Sequence, residues 1–88
     1  MRIKTDFVKT DIIGDTFVVV PVGEESARTH CVITLNETAG FIYDGFAAGL
    51  DENAIAAKLA SEYAVPMDKA LRDVHATAEK LLAAGVAE

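Results

Sequence analysis

The feature that most constrains the fold of this chain is a change in its hydrophobic period near Leu35. Before that point, β-branched and aromatic residues form short runs separated by turn-forming residues. After it, Ala-rich segments carry apolar residues three and four positions apart. The first pattern is typical of strands and the second of amphipathic helices. Because a sheet followed by helices buries one sheet face under those helices, the order predicts an α+β domain.

Three strands are predicted in the first part, at FVKTDII (7–13), TFVVVPV (16–22) and HCVITL (30–35). Gly14 and Asp15 supply the positive φ of a tight hairpin turn between the first two strands. The polar segment GEESAR (23–28) suits the second connection. The simplest arrangement is a three-stranded antiparallel sheet whose strands follow their order in the chain.

Three helices are predicted in the second part. Either Asn36, or Thr34 with Glu37 in a capping box, can begin the first helix, and Asp51 can cap the second. The third helix is predicted at about residues 67–84. The last two helices, joined by the short segment AVP, resemble a helix-turn-helix.

Composition narrows the classes of function. The chain has 88 residues, of which 51% are apolar, so we expect a single domain over residues 1–88 that needs nearly every apolar side chain for its core. A deep substrate cavity, and with it an enzymatic role, is not expected. The net charge of -6 and the scattered basic residues argue against nucleic acid as a partner.

The pattern of cysteine and histidine predicts no catalytic group, metal site or cofactor. Cys31 is the single cysteine, so the sequence contains no internal disulfide and no cysteine pair for a metal. His30 and Cys31 are neighbours on a predicted strand and therefore face opposite sides of the sheet.

The longest apolar run, 17–22, is far shorter than the ~20 residues that span a bilayer. Without a signal-type stretch, we expect a cytoplasmic protein that does not bind membranes.

The two outer strands of the predicted sheet differ in charge. The first strand is flanked or interrupted by Lys4, Asp6, Lys9 and Asp11, which discourage pairing with another strand. The third strand, from Thr29, contains no Lys, acidic residue or Pro. Such an edge is covered by the chain itself, paired with a second copy, or used to bind a partner strand. The residues alone leave all three open and favour the first two.

Four segments resemble the PqqD family in their order and spacing, over about residues 7–86. They are TFVVVPVGEE, VITLNETAGFIYDGFAAG, DENAIAAKLASEYAV and RDVHATAEKLLAAGV. The most specific pieces are LNET, Asp73-Val74 and Gly85-Val86.

The resemblance implies a winged helix-turn-helix-like domain. Such a domain is the recognition element of pathways for ribosomally synthesised, post-translationally modified peptides. In that family the leader segment of a precursor peptide adds as a strand to the third strand, against the third helix. The domain then presents the precursor to a modifying enzyme, often a radical S-adenosylmethionine (SAM) enzyme.

The resemblance also implies a peptide-binding site. Its backbone part is Thr29, His30, Cys31, Val32, Ile33 and Thr34, and its helix wall is Ala70, Asp73, Val74, Thr77 and Leu81. Two positions depart from the family pattern: Pro66 replaces a polar helix cap, and Thr77 replaces a large apolar residue. From the Thr77 departure we expect a groove that is shallower or more polar, and so a different peptide preference. Because family members serve several peptide pathways, synthesis of the quinone cofactor is not implied.

Two alternatives to a peptide-binding adaptor follow from the same elements. In a DNA-binding winged-helix regulator the third helix would enter the major groove, but between positions 68 and 80 its basic and acidic residues balance to zero. In a self-associating structural module the third strand would pair with its own copy in a homodimer. Gel filtration with and without a leader peptide distinguishes this module from the adaptor.

Overall fold

The chain folds into a three-stranded antiparallel sheet followed by three helices, which confirms the predicted α+β fold. The computed structural model describes residues 1–23 and 33–88. The sheet has the order β1-β2-β3. The elements are β1 (Phe7–Ile13), β2 (Thr16–Pro21), β3 (Ile33–Leu35), α1 (Glu37–Ala47), α2 (Glu52–Tyr63) and α3 (Met67–Ala83). The predicted residues 30–32 of the third strand and 24–28 of the second connection lie outside the described part.

The β1–β2 hairpin forms where the sequence predicts a tight turn. Ile13 lies opposite Thr16, and Gly14 adopts a φ of 56°. That left-handed conformation costs glycine little because it has no Cβ. A register irregularity between Asp11 and Ile13 interrupts the ladder near the turn.

Side chains cap the first two helices. Asn36 accepts a hydrogen bond from the Ala39 N–H at 2.8 Å, and Asp51 accepts one from Ala54 N–H, also at 2.8 Å. Asn36 is therefore the N-cap of α1, which was one of the two predicted starts of this helix. Pro66 precedes α3 and makes no side-chain capping bond, in line with its departure from the family pattern.

The core lies between the inner face of the sheet and the three helices. Its largest fully buried side chains are Val19, Leu35, Ile42, Ile55, Leu59, Val74, Leu81 and Val86. Helix α1 packs unusually closely on its neighbours: a Cβ built on Gly40 would lie 2.7 Å from the Phe17 ring, and one on Gly45 would lie 2.7 Å from Ile55 Cγ1. Glycine at both positions allows α1 to approach β2 and α2.

An N-terminal arm pairs with the segment that follows α3. Ile3 forms an antiparallel bridge with Ala87, and the Lys4 N–H donates to Val86 O at 2.9 Å. The Arg2 guanidinium also donates to the Glu88 carboxylate, and this bond lowers the pKa of Glu88. The sequence patterns do not predict this pairing. Within residues 1–23 and 33–88, no helix is both long and apolar enough to cross a bilayer.

Candidate functional site

Strand β3 lies at one edge of the sheet. It pairs with β2 on one side, with Leu35 opposite Phe17 and Ile33 opposite Val19. On its other side, no strand from the described ranges pairs with it. The part of β3 that the structure describes is thus an edge and not the interior of the sheet.

The direction of the backbone groups of β2 follows from one hydrogen bond. Just beyond β2, the Val22 N–H donates to Asp6 O at 2.7 Å, so the backbone of Val22 faces the β1 side. Backbone groups in an antiparallel ladder alternate in direction from one residue to the next. Val19 and Phe17 are an odd number of residues from Val22, so their backbone groups face β3.

The same alternation determines the direction of the backbone groups of β3. Leu35 and Ile33, opposite Phe17 and Val19, exchange the ladder hydrogen bonds with β2. The N–H and C=O of Thr34, between them, therefore point away from β2, toward the outer edge. Thr34 is the described residue of β3 that offers its backbone to an added strand.

A lysine of α3 already contacts this edge. Lys80 Nζ donates to the Thr34 carbonyl oxygen at 3.1 Å. The bond independently supports the outward direction of that carbonyl. It also shows that the face of α3 carrying Lys80 lies within a side-chain length of the β3 edge.

A cleft of about 320 Å³ lies on the same face of α3, beside the start of α1. Lys69 and Asp73 form an ion pair at 3.0 Å on its α3 side. Positions 69, 73, 76, 77 and 80 share one side of a helix with 3.6 residues per turn. The cleft lining is Asn36, Thr38, Ala39, Ile42, Lys69, Asp73, Ala76 and Thr77. This lining is largely polar.

The structure divides the residues predicted for the helix wall into two groups. Asp73 and Thr77 line the cleft and are partly exposed. Ala70, Val74 and Leu81 are each 0% exposed and belong to the core, and none of them lines the cleft. Their predicted contact with a peptide stays a prediction.

Of the strand residues predicted to bind the peptide backbone, the structure describes Ile33 and Thr34. Ile33 is half-buried and packs against the core, and Thr34 is exposed. Thr29, His30, Cys31 and Val32 lie outside the described residues.

Sequence reasoning missed three residues of this region: Asn36, Thr38 and Lys80. Lys80 lies three positions after Thr77 on the same helical side, and this spacing was the available signal. Asn36 was recognised only as a helix cap. Its side-chain oxygen indeed caps α1, while the residue also lines the cleft.

A second cleft, of about 270 Å³, lies between α1 and α2 and is mostly apolar. Its lining is Phe41, Asp44, Gly45, Ala48, Leu50, Ile55 and Lys58. None of these residues belongs to β3 or α3, so this cleft offers no extension of the β3 edge.

His75 lies on the side of α3 opposite the polar cleft and connects two helices. Its Nδ1 lies 3.2 Å from Glu52 Oε1 of α2, and its Nε2 lies 2.8 Å from Glu79 Oε1. The hydrogen bond with Glu52, followed by the negative charges of Glu79 and Glu52, raises the pKa of His75. The protonated ring therefore favours the packed arrangement of α2 and α3.

This arrangement predicts a pH-dependent contribution to stability. Because the folded-state pKa is raised, the contribution is complete below the unfolded pKa of about 6.5 and is lost as the pH rises through the folded value. We expect His75→Gln to lower Tm more at about pH 6 than at about pH 8.5. Thermal unfolding of both proteins at both pH values measures this. His30 is present in both proteins, so its titration does not contribute to the difference between them. An equal loss of Tm at the two pH values would contradict the assignment of this effect to His75.

Within the described ranges, no three His, Cys, Asp or Glu side chains group as a metal site. The polar cleft instead offers hydrogen-bonding groups, one ion pair and a neighbouring strand edge. Such an arrangement fits the binding of an extended chain.

Fold and site together define a winged-helix-like α+β domain with an edge strand beside a helix-lined cleft. The sequence model of the family described as "Coenzyme PQQ synthesis protein D (PqqD)" matches residues 22–87. The chain therefore belongs to the PqqD family, which confirms the resemblance noted from its motifs.

One similar solved structure is described as "TbiB1 in Complex with the TbiA(beta) Leader Peptide". It superposes with a TM-score of 0.80 at 19% sequence identity, covering 100% of this chain and 95% of that chain. At this identity the likeness establishes the shared fold. No curated protein shows a significant sequence match to this chain.

Proposed function

We propose that this protein is a non-catalytic adaptor that binds the leader segment of a ribosomally made precursor peptide. The leader adds as a strand to the outer edge of β3 and lies against α3, and the adaptor presents it to a modifying enzyme of the radical SAM class. The outward direction of the Thr34 backbone, beside the polar cleft, is the observation that carries this proposal. Membership of the PqqD family supports it, as does the leader peptide named for the TbiB1 structure.

Backbone pairing alone gives only weak binding. Each added hydrogen bond contributes about 1 kcal/mol net, whereas association costs about 4–15 kcal/mol. Each apolar leader side chain that becomes buried adds about 1.5–3 kcal/mol. The cleft beside α3 supplies room for such a side chain together with polar partners. Micromolar binding, near -8 kcal/mol, therefore needs both the strand edge and the cleft.

The charges of α3 argue against the DNA-binding alternative. Lys69 is paired with Asp73, and Lys80 contacts the Thr34 carbonyl, so two of its basic side chains already have protein partners. A helix that reads DNA needs unpaired basic groups on an overall basic surface. The net charge of the chain is -6.

A titration followed by NMR tests the site. Short random peptides displayed on their own mRNAs are selected against the purified protein, and the best binder is titrated into ¹⁵N-labelled protein. We expect the largest amide shifts at 31–34 and 73–77. Shifts confined to α2 and the apolar cleft between α1 and α2 would refute the site. Failure to select any binder would count against the function itself.

Gel filtration separates the adaptor from a self-associating module. We expect the protein to elute as a monomer that binds the selected peptide. A dimer that the peptide cannot dissociate would favour pairing of β3 with its own copy. We expect a gene for a radical SAM enzyme to lie beside the gene for this protein, and addition of that enzyme should give a ternary complex that depends on the peptide.

A further inference from the structure

Lys80 is hydrogen-bonded to the carbonyl group that an added strand would also use. The Thr34 carbonyl points to the outer edge of β3 and accepts from Lys80 Nζ at 3.1 Å. A strand that pairs with β3 at Thr34 donates a backbone N–H to this same oxygen. The lysine must then move or share the oxygen, which has two lone pairs. In either case the ammonium group remains at the peptide interface.

The acidic side chains of α3 beside Lys80 already have partners. Asp73 is paired with Lys69 at 3.0 Å, and Glu79 is paired with His75 at 2.8 Å. The charges of Lys69 and Asp73 cancel in the cleft, so these three side chains together leave one positive charge, the ammonium group of Lys80 beside the β3 edge. A carboxylate on the incoming peptide is the natural partner for this ammonium group.

Strand geometry places that carboxylate. Ile33 and Leu35 direct their side chains to the core face of the sheet, where α3 lies, and Thr34 directs its own to the outer face. A peptide residue opposite Thr34 likewise faces outward, and its two neighbours face the helix side. The acidic residue therefore belongs at one of these two neighbouring positions.

We infer that Lys80 is a specificity-determining residue that selects leaders carrying Asp or Glu next to the residue paired with Thr34. In the free protein it holds the edge carbonyl, and in the complex it binds the leader carboxylate. This inference rests on the proposed leader-binding function. It assigns to the leader one acidic position and to Lys80 the role of setting the register of the added strand.

The test compares selections from one displayed pool of random peptides against the native protein and three variants: Lys80→Met, Lys80→Arg and Lys58→Met. Lys58 is an exposed lysine of α2 and serves as the matched control for loss of one positive charge. We expect one Asp/Glu position to be enriched by the native protein, Lys80→Arg and Lys58→Met, and not by Lys80→Met. Changing that acid to its amide should weaken binding to the native protein about three- to fivefold, and binding to Lys80→Met hardly at all.

The possible failures are distinguishable. Peptides that bind the β3 edge without an enriched acid, or with the same enrichment for Lys80→Met, would overturn the role of Lys80 and leave the adaptor function standing. If no peptide is selected by any of the four proteins, the proposed function fails and this inference fails with it. Thermal unfolding of each variant confirms that the compared proteins are folded.

Discussion

Substitution of Thr34 by proline is expected to abolish most leader binding while leaving the domain folded. Proline lacks the N–H that an added strand would bond, and its ring stands where the peptide carbonyl must approach. A lost bond together with an unsatisfied peptide carbonyl costs about 2–4 kcal/mol, which weakens binding about 30- to 1000-fold. Isothermal titration of the selected peptide into native and Thr34→Pro protein measures the difference.

The fold should tolerate this proline because Thr34 makes no ladder bond to β2. Leu35 and Ile33 provide those bonds, and proline is accepted at edge positions whose N–H faces outward. Thr34→Ala is the matched control, since it removes the side chain and keeps the N–H, and we expect near-native binding. Native affinity in Thr34→Pro would rule out strand addition at this residue. A large loss of Tm would mean that the Thr34 N–H faces β2.

Most of the fold could be predicted from sequence because its signals are local. The change of period at Leu35 separates sheet from helices, Gly14 forms the hairpin turn, and Asp51 caps α2 as its position indicates. Each of these effects acts within a few residues of chain, where residue type and backbone geometry are directly related. The pairing of Ile3 with Ala87 joins opposite ends of the chain, so no local pattern indicates it.

The site was harder to predict because it depends on the rotation of α3. Rotating a helix by one residue moves its side chains by about 100°, enough to exchange core and cleft positions. Asp73 and Thr77 line the cleft, whereas the adjacent Val74 lies in the core. An apolar stripe is compatible with either role. Lys80 reaches Thr34 across 46 positions of sequence, a contact that only the packed helix reveals.

Neighbouring leucines on α3 provide the sharpest test of this rotation. Leu81 is 0% exposed and Leu82 is 46% exposed. Leu81→Ala should lower the free energy of unfolding by about 2–5 kcal/mol, because it removes buried methyl groups and leaves a cavity. The total stability of a domain is typically about 5–15 kcal/mol, so this is a large part of it. Leu82→Ala, the matched control, should change stability by no more than about 0.5 kcal/mol. Urea denaturation of the three proteins measures both effects.

The Leu81→Ala variant also distinguishes a core role for Leu81 from direct contact with the peptide. If Leu81 acts through the core, the affinity of Leu81→Ala falls only in proportion to the fraction of folded protein, since binding selects the folded state. Measurements at a low temperature, where unfolding is minor, should then give nearly native affinity. If Leu81 instead touches the leader, Leu81→Ala should unfold like the native protein and bind the peptide poorly. That outcome would require a different rotation of α3, and with it a different position for Lys80 relative to the β3 edge.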